Sequence, residues 1–366
     1  MTSPVNKIVA LTCPILQGLA RVSHREKLTF DTFTKYIYDD RAGEGVYAYI
    51  IDTGINIQHV DFQGRASWGV VIADSKYEDG VGHGTHCAGT IGSRTYGVAK
   101  KAKLIAVKVL GSDGSGSTSD VIAGVQWTVK DATAKAVAAA KEFAVKGTTN
   151  YKGAVVNMSL GGGKSTSLDL AVNRAVDAGL HFAVAAGNDN RDACNYSPAA
   201  AQKPITVGAS TLADERAPFS NWGECVDVFG PGLNILSTWI GSTTATNTIS
   251  GTSMATPHVV GLLAYFLSIY PSATFNPTSD ELISLISSEI TQTPLSGIYA
   301  VVHASLPPWI SVFLPAPEFA QFAKPMMPAQ LKKSLLAIAS PNKLTGLPAK
   351  TPNLLVFNNA TSVTAF

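Results

Sequence analysis

Charge is scarce in this 366-residue chain: Asp, Glu, Lys and Arg make up 15% of it, and the formal net charge is +2. With no cluster of Lys and Arg either, it lacks the electrostatic footprint of a nucleic-acid binder. Its four cysteines, Cys13, Cys87, Cys194 and Cys225, include no C-x-x-C pair, so zinc-site spacing is absent. The longest apolar run, about a dozen residues at 259–270, is too short to cross a bilayer. A stretch from Ile8 to Leu16, with Gly18 and Ala20 behind it, has the outline of a weak signal peptide, but Pro14 and Gln17 interrupt it.

What is present is apolar and patterned. Hydrophobic residues reach 46%, enough for one large globular core with appendages. Runs at 45–52, 103–110, 153–160 and 181–187 read as strands buried on both faces. Helical patterns near 83–94, 118–143 and 165–178 lie between them, the last two opening on Ser/Thr-rich caps. This alternation predicts an α/β fold, doubly wound, with a mostly parallel sheet and helices on both faces. Shorter strands are expected at 204–210, 226–229 and 234–239. Past about residue 275 the text becomes Pro-rich before a last helix near 328–339.

In open α/β sheets, sites collect at the carboxyl ends of the strands. There stand Asp52, Gly111 to Gly116, Ser159 to Gly163 and Asn188. Three chemistries compete for them. A phosphate loop in "SLGGGKSTS" fails because Met158 occupies the position of its first glycine. An aspartic-protease reading of "DTG" at 52–54 fails because no second D-[TS]-G supplies the partner carboxylate. A serine hydrolase triad fits: Asp52 closes a buried strand, His83 opens a helix among glycines, and Ser253 stands where another helix begins. Pro257 is tolerated if that helix starts near Ser253, whose environment of free N–H groups suits developing negative charge. Asn188 offers a side-chain donor for an oxyanion.

Ser253 could otherwise be a plain N-cap, and His86 and Cys87 beside His83 could suggest a metal cluster. Cys87 is read as a buried thiol beneath His83, and His86 and His258 as structural. A disulfide between Cys194 and Cys225 is left open on the residues alone.

The blocks "YIIDTG", "GHGTHCAGT", "AVAAGN" and "SGTSMATPH", in that order, resemble the signature blocks of the subtilisin-like serine proteases. The cysteine after "HGTH" points to the proteinase K branch, and within it the chain is most similar to the fungal vacuolar proteinase B (cerevisin) group. The resemblance spans 18–275 and resumes at 351–359. It implies a subtilisin-like fold and a serine endopeptidase, with Asp52, His83 and Ser253 catalytic and Asn188 in the oxyanion hole. Substrate would lie extended between Gly114, Ser115 and Gly116 on one side and Ser159, Leu160 and Gly161 on the other. Ala185, Ala186 and Gly187 would wall an uncharged S1 pocket favouring apolar and aromatic P1 residues.

No cofactor is required for that chemistry. A structural calcium ion is implied at Asp227, with the carbonyls of Gln202 and Pro204. The expected partners are protein and peptide substrates and the chain's own pro-region or a peptide inhibitor, with no nucleic acid or membrane, for a monomer. The vacuolar lumen is the implied compartment and the extracellular space the second choice. Residues 1–17 form a non-matching segment, too short for an intact signal and pro-region; 18–275 form the peptidase domain and 276–366 a C-terminal extension whose final helix packs on the core. The competing reading is a folded but catalytically inactive chain or fragment.

Overall fold

Strand Val46–Asp52 shows how the fold is built. Its alternating side chains feed two cores: Ala48 and Ile50 point into one, Tyr49 and Ile51 into the other, and all four are fully buried. A strand covered on both faces needs helices above and below it. The computed structural model describes residues 7–12, 17–73, 76–272, 274–277 and 326–360. It places this strand inside a nine-stranded sheet. Across the sheet the order is Ser340–Pro341, Leu354–Leu355, Val228–Pro231, Ile205–Ser210, His181–Ala185, Gly153–Met158, Val46–Asp52, Lys103–Lys108 and Ala66–Val71. Every neighbouring pair is parallel except the terminal one, Ser340–Pro341 against Leu354–Leu355.

Six helices are described: α1 (Gln17–Ser23), α2 (His83–Gly92), α3 (Thr118–Lys146), α4 (Thr166–Asp177), α5 (Thr252–Ile269) and α6 (Pro328–Ile338). α2, α5 and α6 pack into the core on one face of the sheet. α3 and α4 cover the other. Ser117 caps α3 through a reciprocal box with Asp120, and Ser165 caps α4. α5 has the length and apolar content of a membrane span, yet of its 18 residues every one but Ser253 is buried. It is the central core helix.

The first and last described segments are built into this body. Residues Ile8–Thr12, part of the stretch with a leader-like outline, pair antiparallel with Lys35–Asp39. Arg21 of α1 is 1% exposed and grips Asp214 with two bonds, of 2.6 and 3.1 Å. Near the C-terminus, Leu331 and Leu335 of α6 enter the core, and Leu354–Leu355 adds to the sheet beside Val228–Pro231. Most of the Pro-rich stretch lies outside the described residues, as does Cys13. Cys194 and Cys225 form a disulfide.

Candidate active site

Asp52 ends its strand at the carboxyl edge of the sheet, fully buried. Its Oδ1 accepts from the backbone N–H of Thr53 at 2.7 Å and from His83 Nδ1 at 2.8 Å. Oδ2 is buried without a partner among the described residues. An ionised carboxylate can only accept, so it fixes the proton of neutral His83 on Nδ1 and leaves Nε2 as the acceptor. Burial alone lowers the affinity of His83 for a second proton. The Asp52 charge, its hydrogen bond and the charge of Asp79 outweigh burial and raise the pKa above its ordinary value.

Asp79 is a residue that the sequence reading missed. Its Oδ1 accepts from Thr53 Oγ1, Val81 N and Gly82 N, and its Oδ2 from Thr85 N and Oγ1, all at 2.6–3.1 Å. One carboxylate therefore ties the loop after Asp52 to the first turn of α2, where orphan N–H groups need acceptors. Thr53 Oγ1 in turn accepts from Gly84 N at 3.0 Å. Gly84 has to be glycine, because a Cβ there would sit 2.2 Å from the carbonyl oxygen of Gly54. The fully buried Lys108 adds a further clasp, donating to the carbonyls of Thr53 and Leu110 at 2.9 Å.

Ser253 is not an N-cap. Gly251 caps α5, and Ser253 is its second residue, with the hydroxyl donating to the carbonyl of Ser159 at 3.1 Å. The helix does start near Ser253, at Thr252, but Pro257 then falls in its second turn and not in the first, where a proline's missing N–H is harmless. Its missing N–H would have bonded the carbonyl of Ser253. Two side chains fill that place: Ser159 Oγ at 2.8 Å and Cys87 Sγ at 3.4 Å. The proline thus opens the helix ladder beneath Ser253, and residues from a strand end and from α2 close it. Replacing Ser159 by Ala removes the stronger donor, and we expect a stability loss of about 1–3 kcal/mol in a denaturant titration. An unchanged midpoint would mean that the carbonyl is not held this way.

Asn188 is exposed in the loop that follows strand His181–Ala185, and its side chain is pinned by one atom. Oδ1 accepts from Thr252 N at 2.8 Å and Thr252 Oγ1 at 2.9 Å. The amide nitrogen and the N–H of Ser253 both lack an acceptor among the described residues. They meet at Gly251, where a Cβ would lie 3.5 Å from Ser253 N and 3.6 Å from Asn188 Nδ2.

The Subtilase family model matches residues 43–295. The chain belongs to the subtilase family. It is 56% identical over 346 residues to Alkaline protease 2 of Aspergillus fumigatus, covering 94% of this chain and 60% of that one. It is 54% identical to Subtilisin-like serine protease Pen c 2 of Penicillium citrinum, covering 94% and 65%. The chain thus spans under two thirds of the length of these relatives. Among solved structures, a cold adapted subtilisin-like serine proteinase superposes with a TM-score of 0.69 at 36% identity, covering 94% of this chain and 99% of that one.

Around this subtilase centre the remaining expected residues divide. Leu160 is half-buried and Gly161 exposed, while Ser159 is buried and used as described. Gly114, Ser115 and Gly116 are exposed but form no strand. Ser115 is folded onto its own turn, its N–H on Asp113 Oδ1 and its carbonyl on Gly111 N. Ala185 is 7% exposed and Gly187 half-buried. Ala186 is a correction: fully buried, it packs with Ala193, Val226 and Phe229, and both its backbone groups are bonded internally. It cannot face a pocket.

The histidines near the site have other partners. His86 Nε2 meets the carbonyl of Ile235 at 2.9 Å and His258 Nδ1 that of Met254 at 2.8 Å. Burial pushes both down to about 4, keeping them neutral. Cys87 shares a cluster with Asp52 and His83; burial drives its pKa up, and its Sγ donates to the Ser253 carbonyl at 3.4 Å. At Asp227 the expected calcium cradle holds a side chain instead. Lys332 Nζ lies 2.8 Å from Asp227 Oδ2, 2.7 Å from the Pro204 carbonyl and 3.3 Å from that of Gln202.

Proposed function

We propose that this subtilase is a serine endopeptidase acting through an acyl-enzyme. The observations that carry the reading are the 2.8 Å Asp52–His83 bond and Ser253, the one unburied residue of α5, standing at the helix start next to the Thr252 that holds Asn188. Ser253 Oγ attacks the scissile carbonyl and passes its proton to His83 Nε2; Asp52 stabilises the imidazolium. Asn188 Nδ2 and the Ser253 N–H receive the oxyanion. His83 then protonates the leaving amine, and water repeats the sequence to release the acid. Before substrate binds, the hydroxyl donates to the Ser159 carbonyl at 3.1 Å, a bond it must leave to reach His83 Nε2.

Peptide and protein substrates are read mainly through backbone, at Leu160–Gly161 and across from them at Gly114–Gly116, with Ser115 released from its turn. Ala185 and Gly187 give the S1 wall no charge, which favours apolar and aromatic P1 residues. The enzyme works as a monomer, restrained by its pro-region or a peptide inhibitor. The Cys194–Cys225 disulfide supports an oxidising setting, the extracellular space or a lumen such as the vacuole.

The raised pKa of His83 sets the pH response. Only the neutral imidazole accepts a proton, so kcat/KM should climb with pH through a midpoint above the reference of about 6.5. A midpoint at or below that reference would contradict the Asp52–His83 coupling. The deciding experiment is fluorophosphonate labelling with the adduct mapped by peptide mass spectrometry. A tag on Ser253 that disappears in His83→Ala supports the reading, and a folded chain that takes no tag refutes it.

A further inference from the structure

The Asp227 cradle carries an inference beyond the peptidase reading. Its acceptors are one carboxylate and two backbone carbonyls, and they surround the ammonium of Lys332 at 2.7–3.3 Å. An ammonium has three protons to donate, and three oxygens take them. Calcium seeks six to eight oxygens at about 2.3–2.6 Å, so an ion on these same groups would draw its remaining ligands from water, and the ammonium already holds its position. Of that carboxylate, Oδ2 already accepts from Thr206 N at 2.8 Å. Charge agrees with the donor count. One carboxylate balances one ammonium, whereas a divalent ion with the same single carboxylate keeps an excess positive charge.

The lysine is also delivered to this place. Lys332 stands on α6, next to Leu331, and both Leu331 and Leu335 are buried in the main core at 0% and 1% exposure. Once those leucines dock, the ammonium is held near the cradle at high effective concentration, which a free ion in solution has to overcome. Asp227 and Lys332 are 105 residues apart in sequence, so their pair joins the C-terminal segment to the sheet at the strand Ile205–Ser210.

We propose that the Lys332 ammonium is a built-in cation that takes the place of a metal ion in the Asp227, Pro204 and Gln202 cradle and latches α6 to the sheet. The test counts bound calcium by elemental mass spectrometry after equilibration with millimolar calcium and gel filtration. It needs no activity, so it stands apart from the peptidase reading. Lys332→Met keeps the aliphatic stem and removes the charge. We expect this variant to bind one calcium ion more than the unaltered chain and to lose that ion again when Asp227→Asn is added. Calcium should raise the melting temperature of Lys332→Met more than that of the unaltered chain. Asp227→Asn alone should leave the calcium count unchanged. Equal counts in the unaltered chain and Lys332→Met would overturn the proposal. So would loss of an ion on Asp227→Asn alone, a comparison that decides the matter even if Lys332→Met does not fold.

Discussion

Replacing Ser253 by Ala should lower kcat on the order of 10⁶-fold, the magnitude known for subtilisin, and leave KM nearly unchanged. Loss of the hydroxyl removes the bond-forming atom, while the surfaces that hold substrate remain. The position tolerates the change structurally, because Ser253 is the only residue of α5 that is not buried and its hydroxyl bonds one carbonyl. His83→Ala should cost about as much, since a serine without its base is a weak nucleophile. The informative measurement is the double variant. If hydroxyl and imidazole act as a unit, the pair should be no slower than either single change. A residual rate about 10³–10⁴ above the uncatalysed reaction should survive on the oxyanion donors and binding. Losses that multiply would mean that the two residues act independently, and the triad reading would fail.

Much of this centre is legible in the sequence because its parts are local. Asp52 ends a strand, His83 and Ser253 stand at helix starts and Asn188 follows a strand, and such places are marked by glycine and by the change from strand to helix pattern. The buried strands are equally plain, since Val46–Asp52 and Gly153–Met158 carry no charge until Asp52. What sequence hides is partnership. Nothing in "EDGVGHG" says that Asp79 will hold two loops together, because Thr53 lies 26 residues away. Lys332 is one more cation on an amphipathic helix until the fold carries it to Asp227. Pro257 misleads in a different manner. A proline near a helix start suggests the first turn, where its missing N–H costs nothing. Only the fold reveals a second-turn proline whose vacated acceptor is taken by Ser159 and Cys87. Ala186 shows the converse error: a motif position beside the site, its side chain turned into the core.

Asn188→Ala should reduce kcat by about 10²–10³, the loss seen when subtilisin gives up its oxyanion asparagine. The geometry explains why the effect should be confined to kcat. Thr252 holds Oδ1 with two bonds, so Nδ2 is aimed before substrate arrives and costs no reorganisation when the oxyanion forms. A ground-state carbonyl carries little of that charge, so KM should barely move. Thr252 gives a second variant with a different signature. Thr252→Val removes the hydroxyl but keeps the backbone N–H on Oδ1, loosening the amide without deleting it. Its loss in kcat should therefore be smaller than that of Asn188→Ala, and the two changes together should cost no more than Asn188→Ala alone. A rise in KM with kcat unchanged in Asn188→Ala would place the amide in substrate binding instead. Losses that add in the double variant would mean that Thr252 acts on the reaction by a route other than the asparagine.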